Sequence, residues 1–222
     1  MSVRAQEDFA PLVPLRLAPP AWMSLGFALL VGFARAPAAE PIIAVVPLPG
    51  ATAPAEAPEY NIKAGYLRLF ARYTEWPPDI FTHASDPVVV GVLGANPFGE
   101  ILQGTLQGLK IQNRSIEVRL VQTVEEAALC QVVFIARRQE HEEAAWLNAL
   151  RDKPVLTVTE SEQGLARGAV LALAYEKTAR GPKVVFDASL RAARQAGLKL
   201  SADMLQSTRK ILLESGEIKA TR

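Results

Sequence analysis

Val88-Val89-Val90-Gly91-Val92-Leu93, followed at once by Gly94-Ala95-Asn96-Pro97-Phe98-Gly99, decides how this chain folds. A strand with one face in water alternates apolar and polar residues. An unbroken apolar run instead suits a strand covered on both faces, as in a parallel sheet between layers of helix. The glycines then allow a tight turn, and Pro97 suits the first position of a helix.

The same rhythm continues outward from this stretch. Tyr60 to Trp76 places Ile62, Tyr66, Leu69/Phe70 and Tyr73 at helical spacing, with Lys63, Arg68, Arg72 and Glu75 elsewhere, and Pro77-Pro78 stops the helix. Downstream, Ile116–Val121, Val132–Ile135 and Pro154–Val158 read as strands. Short helices around 124–129 and 139–150 separate them, and Gly164–Arg167 reads as a turn or short helix. The apolar run from Gly168 to Tyr175 and Lys183–Phe186 read as a hairpin across Thr178–Pro182. Ser189 can cap a helix that Gly197 ends. Ser201 can cap a last helix with Met204/Leu205, Thr208 and Ile211/Leu212 at 3–4 spacing. Strands alternating with helices predict one three-layer α/β domain with a mostly parallel sheet of five or six strands.

The chain has 222 residues with 16 prolines, and ten of these prolines precede residue 59. Ala21 to Phe33 runs thirteen residues without a charge. That is short of the ~20 residues a membrane anchor needs and fits a signal-peptide core, although a membrane-anchored form stays open. Ala36-Pro37-Ala38 fits a small-x-small cleavage pattern with the cut before Ala39. Residues 36–58 hold six prolines and eight alanines, too few side chains to bury and too few donors to pair. The expected organisation is an export segment over 1–38, a Pro/Ala-rich tether over 39–58, the folded domain over 59–214 and a tail over 215–222.

With 24 basic against 23 acidic residues, the chain lacks the single-sign field that holds nucleic acid. One cysteine and two histidines leave no disulfide framework, and no metal site or cofactor is expected. The Gly91–Gly99 stretch is neither GxGxxG nor GxxxxGK[ST], His141-Glu142 is not HExxH, and no serine sits in GxSxG. No catalytic residue is therefore assigned, and the chain is not expected to be an enzyme. Cys130 reads as a small buried apolar residue. Tyr66, Phe70 and Trp76, with Pro97 and Phe98, are the candidate partner-binding residues. Lys183 and Asp187, at the ends of one strand, are candidates for a charged small ligand.

Four blocks, taken in order, resemble one family. Asn61-Ile-Lys-Ala-Gly-Tyr-Leu-Arg-Leu-Phe-Ala-Arg-Tyr-Thr-Glu-Trp-Pro77 resembles the opening helix of the YfiR-like periplasmic proteins. Val92–Gly99 is similar to their first strand and turn, and Leu156–Thr159 with Gly164–Gly168 to their central signature. Phe186 to Ser201 resembles their C-terminal signature, with Ser189 where Asn is usual and Ala169 where a second glycine is usual. The resemblance implies a periplasmic repressor of an inner-membrane diguanylate cyclase, sequestered by an outer-membrane lipoprotein and forming a homodimer. A periplasmic sensor of a nucleotide or aromatic amino acid is the alternative. Members with several cysteines can form disulfides; Cys130 alone cannot.

Overall fold

The computed structural model describes residues 57–178 and 181–221. The export segment and nearly all of the tether fall outside the described residues.

The first element is helix α1 (Ala57–Arg72), followed by the short strand β1 (Thr74–Glu75) and then β2 (Val88–Leu93). Next come α2 (Ile101–Leu106), β3 (Lys110–Ile111), β4 (Arg114–Val121), α3 (Val124–Ala127) and β5 (Val132–Ile135). Helix α4 (Glu140–Leu150), β6 (Leu156–Thr159) and α5 (Gly164–Arg167) lead to the hairpin of β7 (Leu171–Thr178) and β8 (Gly181–Ser189). The chain closes with α6 (Leu190–Gln195), β9 (Lys199–Leu200), α7 (Ala202–Gln206), β10 (Lys210–Leu212) and β11 (Ile218–Ala220).

The large sheet has the order β11-β10-β8-β7-β6-β5-β2-β4-β3. The joins β10–β8, β7–β6, β6–β5, β5–β2 and β2–β4 are parallel. The remaining three, at the hairpin and the two edges, are antiparallel. β1 and β9 form a separate two-stranded ribbon.

All six residues of β2 are buried, and the reason is the one its composition implies. Val88, Val90 and Val92 pack with α1 and α2 residues such as Leu67, Phe70 and Leu102 in one core. Val89 and Leu93 pack with Ala127 of α3 and Leu147 and Leu150 of α4 in the other. Each fully buried Leu or Phe here contributes about 1.5–3 kcal/mol. Gly91 has its own cause, since a Cβ there would lie 2.8 Å from Cys130 Sγ.

Three expectations change. α1 ends at Arg72 rather than Trp76, because Thr74 and Glu75 pair with Leu200 and Lys199. The last helix stops at Gln206, and Ile211 and Leu212 instead form β10 beside Ala188 and Ser189 of β8. Within the expected tail, Ile218–Ala220 form β11, which folds back on β10 through Gly216 at φ 86°. The α/β class with its mostly parallel sheet stands, widened by these short edge strands.

Candidate functional site

Ligands of open parallel sheets sit beyond the carboxyl ends of the strands, where the strand order reverses. Here β4 adds to one side of β2 and β5 to the other, so the reversal lies between β2 and β5. That crevice is filled from within the chain. A Cβ on Gly94, at φ 79°, would lie 2.8 Å from the Gln139 carboxamide nitrogen, so the Gln139 side chain rests against the turn. Phe98 stacks edge-on to Phe134 of β5 at 4.8 Å and to Tyr60 of α1 at 5.2 Å.

Lys63 completes the closure. It lies on the buried side of α1, contrary to the sequence reading that set it off the apolar face. Its ammonium reaches Glu160 Oε1 at 2.6 Å, just past the end of β6, with side chains 3% and 2% exposed. Glu160 Oε2 accepts from the Arg137 backbone N–H at 3.1 Å and from the Tyr60 hydroxyl at 3.4 Å. Glu59 adds a second ion pair to Lys63 from one turn earlier. α1 is thus fastened across the ends of β5 and β6, where a ligand would otherwise enter. Neither Lys63 nor Glu160 carried a signal in the sequence, because their pairing spans 97 residues.

Beside Glu160 opens a charged cleft of about 370 Å³, bordered by Arg137, Glu162, Tyr175, Asp187, Arg209 and Lys210. Arg209 Nε donates to Asp187 Oδ1 at 2.9 Å and Arg209 Nη1 to Glu176 Oε1 at 2.7 Å. These bonds, above all those to Asp187, raise the guanidinium further above its ordinary range, so its charge is fixed. Asp187 therefore lines a cleft as expected of a ligand residue, but its carboxylate is already paired. Lys183 is exposed on the same strand, opposite Glu176 in register, and does not border the cleft.

The five partner-binding candidates do not form one surface. Phe70 and Phe98 are each 1% exposed, and Pro97 is buried in the turn before α2, which begins only at Ile101. Pro97 and Phe98 pack the interior because the turn folds inward over β5, and Phe70 because α1 lays it against Phe186 of β8. Tyr66 is half-buried, donating its hydroxyl to Val184 O at 3.2 Å, and burial pushes its pKa up. Trp76 is half-buried at the opposite end of the sheet, where its indole N–H donates to Gln131 O at 3.2 Å. Phe81 lies edge-on to Trp76, and the Arg114 guanidinium covers Phe81 at 3.8 Å.

Cys130 is buried, and burial raises its thiol pKa to about 11. Among the described residues, no group of three or more His, Cys, Asp or Glu is placed to hold a metal ion. No described helix is long and apolar enough to cross a membrane.

The fold and this closed crevice define a three-layer α/β domain whose first helix covers the usual ligand position. Residues 60–209 match the YfiR/HmsC-like family, and the chain belongs to it. That family consists of periplasmic regulators rather than enzymes and is tied to the control of cyclic-di-GMP signalling. A solved structure similar to this chain is that of a conserved domain protein from Vibrio cholerae O1 biovar El Tor. It is 12% identical with a TM-score of 0.45, and the match covers 67% of this chain and 59% of that one. The chain therefore spans about 59% of that relative's length.

Proposed function

We propose that this chain is an exported regulator that represses an inner-membrane diguanylate cyclase by binding the cyclase's periplasmic region. The observation that carries this reading is the family match, which spans almost the whole described domain. The filled crevice agrees with a protein that works through its outer surfaces. Export by residues 1–38 supplies the compartment. An outer-membrane lipoprotein that competes for the same surface would relieve the repression.

Repression is a population shift: the regulator must bind the inactive cyclase more tightly than the active one, since equal affinity moves nothing. On this reading the cyclase contact lies at the Trp76 end of the sheet, where Glu75, Pro78 and Asp79, close to Trp76 in the chain, are exposed. Removing the gene raises cellular cyclic-di-GMP, and removing the cyclase gene as well returns it to the baseline. A rise that persists without the cyclase refutes the reading.

The charged cleft favours a second reading, a sensor of a small zwitterion such as an amino acid. Arg137 and Lys210 would meet its carboxylate, and Glu162 its ammonium. Thermal-shift measurements with amino acids and nucleotides at millimolar concentration test it. A ligand present at 100 times its Kd adds about 2.7 kcal/mol, and an unmoved Tm across the set rejects this reading.

A further inference from the structure

The large sheet has one long open edge. On its far side β10 and β11, three residues each, close it with a short hairpin. On the near side β4 is eight residues long, and β3 pairs only with its Arg114 and Ser115. Past Ser115, no described strand pairs the outer edge of β4. The Gly94 N–H donates to Val121 O at 2.9 Å, so Val121 turns its backbone toward β2. Alternation along the strand then turns the N–H and C=O groups of Val118 and Leu120 outward. From Ile116 to Val121 the edge has no proline, lysine or glycine, and its register with β2 runs without a bulge, so the common devices that blunt an edge are missing. Its two charges, Glu117 and Arg119, pair with each other at 2.7 Å on one face. Ile116 and Val118 pack toward α2 on the other face, where Leu120 is 58% exposed. Beside Leu120 lies a groove of about 290 Å³, bordered by Val92, Leu102, Gln103, Val118 and Glu100. Glu100 is the only charged residue on that border.

We propose that this edge is a strand-addition site for an extended segment of a partner polypeptide, one that alternates apolar and polar side chains and carries a lysine or arginine. The backbone sets the first requirement. Val118 and Leu120 present their outward groups two residues, about 6.7 Å, apart, a spacing that another extended chain matches. The groove sets the second, since alternate side chains of an added strand enter it beside Leu120 and meet Val92 and Leu102. Charge sets the third. An acidic segment would meet the Glu100 carboxylate with no cation on the groove's border to offset it, whereas a basic side chain completes the pair. The intervening positions of the added strand face Glu117 and Arg119, which neutralise each other and favour uncharged polar residues there. The antiparallel direction is the one β3 already takes on β4 and is the more stable per residue. It places the basic side chain in the N-terminal half of the segment, because Glu100 follows β2 at the carboxyl end of the parallel β2–β4 pair. The proposal does not rest on the cyclase reading.

The probe is a phage-displayed library of random nine-residue peptides, selected on the immobilised full chain. Enriched peptides alternate apolar and polar residues, carry a lysine or arginine in their first half, and shift the Val118 and Leu120 amide signals of the isotope-labelled full chain. N-methylation of the peptide amides that face β4 weakens binding about a hundredfold. Leu120→Lys weakens it about tenfold, with circular dichroism confirming the fold. Glu100→Lys exchanges the preference, so the same peptides with glutamate in place of their basic residue bind that variant more tightly. A library that enriches nothing, binders that tolerate N-methylation, or binding indifferent to both variants overturns the proposal. An edge already taken by a second copy, read as protection of the Val118 and Leu120 amides that is lost on dilution, overturns it as well. The cyclic-di-GMP phenotype is read separately, so failure here leaves the regulator reading intact.

Discussion

Replacing Lys63 by methionine tests whether α1 is fastened to the strand ends by charge. The side chain keeps its length and loses its ammonium. Glu160, 2% exposed, then holds its carboxylate with only the Arg137 backbone N–H at 3.1 Å and the Tyr60 hydroxyl at 3.4 Å. An unpaired buried charge of this kind costs about 3–5 kcal/mol. Glu59 gives the internal control, because its side chain is 24% exposed and it lies one turn away on the same helix. Glu59→Gln should cost only about 0.3–0.5 kcal/mol, the value of a surface pair at that spacing. The double variant Lys63→Met/Glu160→Leu removes both charges and should return to within about 1–2 kcal/mol of the natural protein. Urea unfolding with an unchanged m-value reads all four proteins. A loss below about 1 kcal/mol for Lys63→Met, or no recovery in the double variant, would show that the pair does not fasten α1.

Other consequences are as direct. Gly164→Ala puts a Cβ 2.0 Å from Thr159 Cγ2, and the overpacking should cost about 1–3 kcal/mol in urea unfolding. Gly91→Ala meets Cys130 Sγ at 2.8 Å; Cys130→Ala added to it should recover most of the loss, and a purely additive pair would contradict the packing. Ser189→Ala removes the acceptor for the Ala192 N–H at 3.1 Å and should lower stability by about 1 kcal/mol. Burial pushes the Cys130 thiol up to about 11 in the native state, against 9.0 for an ordinary exposed thiol. The native state therefore binds more protons between these values, so stability falls as pH rises through that window. Cys130→Ala should flatten the slope there, and iodoacetamide should label Cys130 only after unfolding.

How far the sequence reaches depends on how local the cause is. β2 was legible because an unbroken apolar run has one comfortable place, between two helical layers. The Ser189 and Ser201 caps were legible because each is satisfied within three residues, by Ala192 and Met204. α1 misled because it has two apolar faces at helical spacing. Ile62 and Leu69 looked like core, while the small Ala64 and Ala71, which let the helix lie close to the sheet, are fully buried. β10 misled because Ile211 and Leu212 fit a helical period as well as a strand. Their pairing with Ala188 and Ser189 is set by the sheet edge, more than twenty residues away.

Nothing in the local sequence could show that Glu160 pairs with Lys63, or that Arg209 fixes Asp187. Both joins are ionic contacts made only once the sheet has brought distant segments together. The same holds for the candidate contact residues. Aromatic spacing on α1 suggested one surface, but Phe98 turned inward on Phe134, and Trp76 went to the far end of the sheet.

Spheroplasts with the outer face of the inner membrane exposed offer the most direct measurement. Purified full-length protein, added from outside to spheroplasts that carry the cyclase, should lower cyclic-di-GMP synthesis in a saturable way, and Trp76→Ala should shift that saturation to higher concentration. Synthesis unchanged at saturating protein would contradict the account.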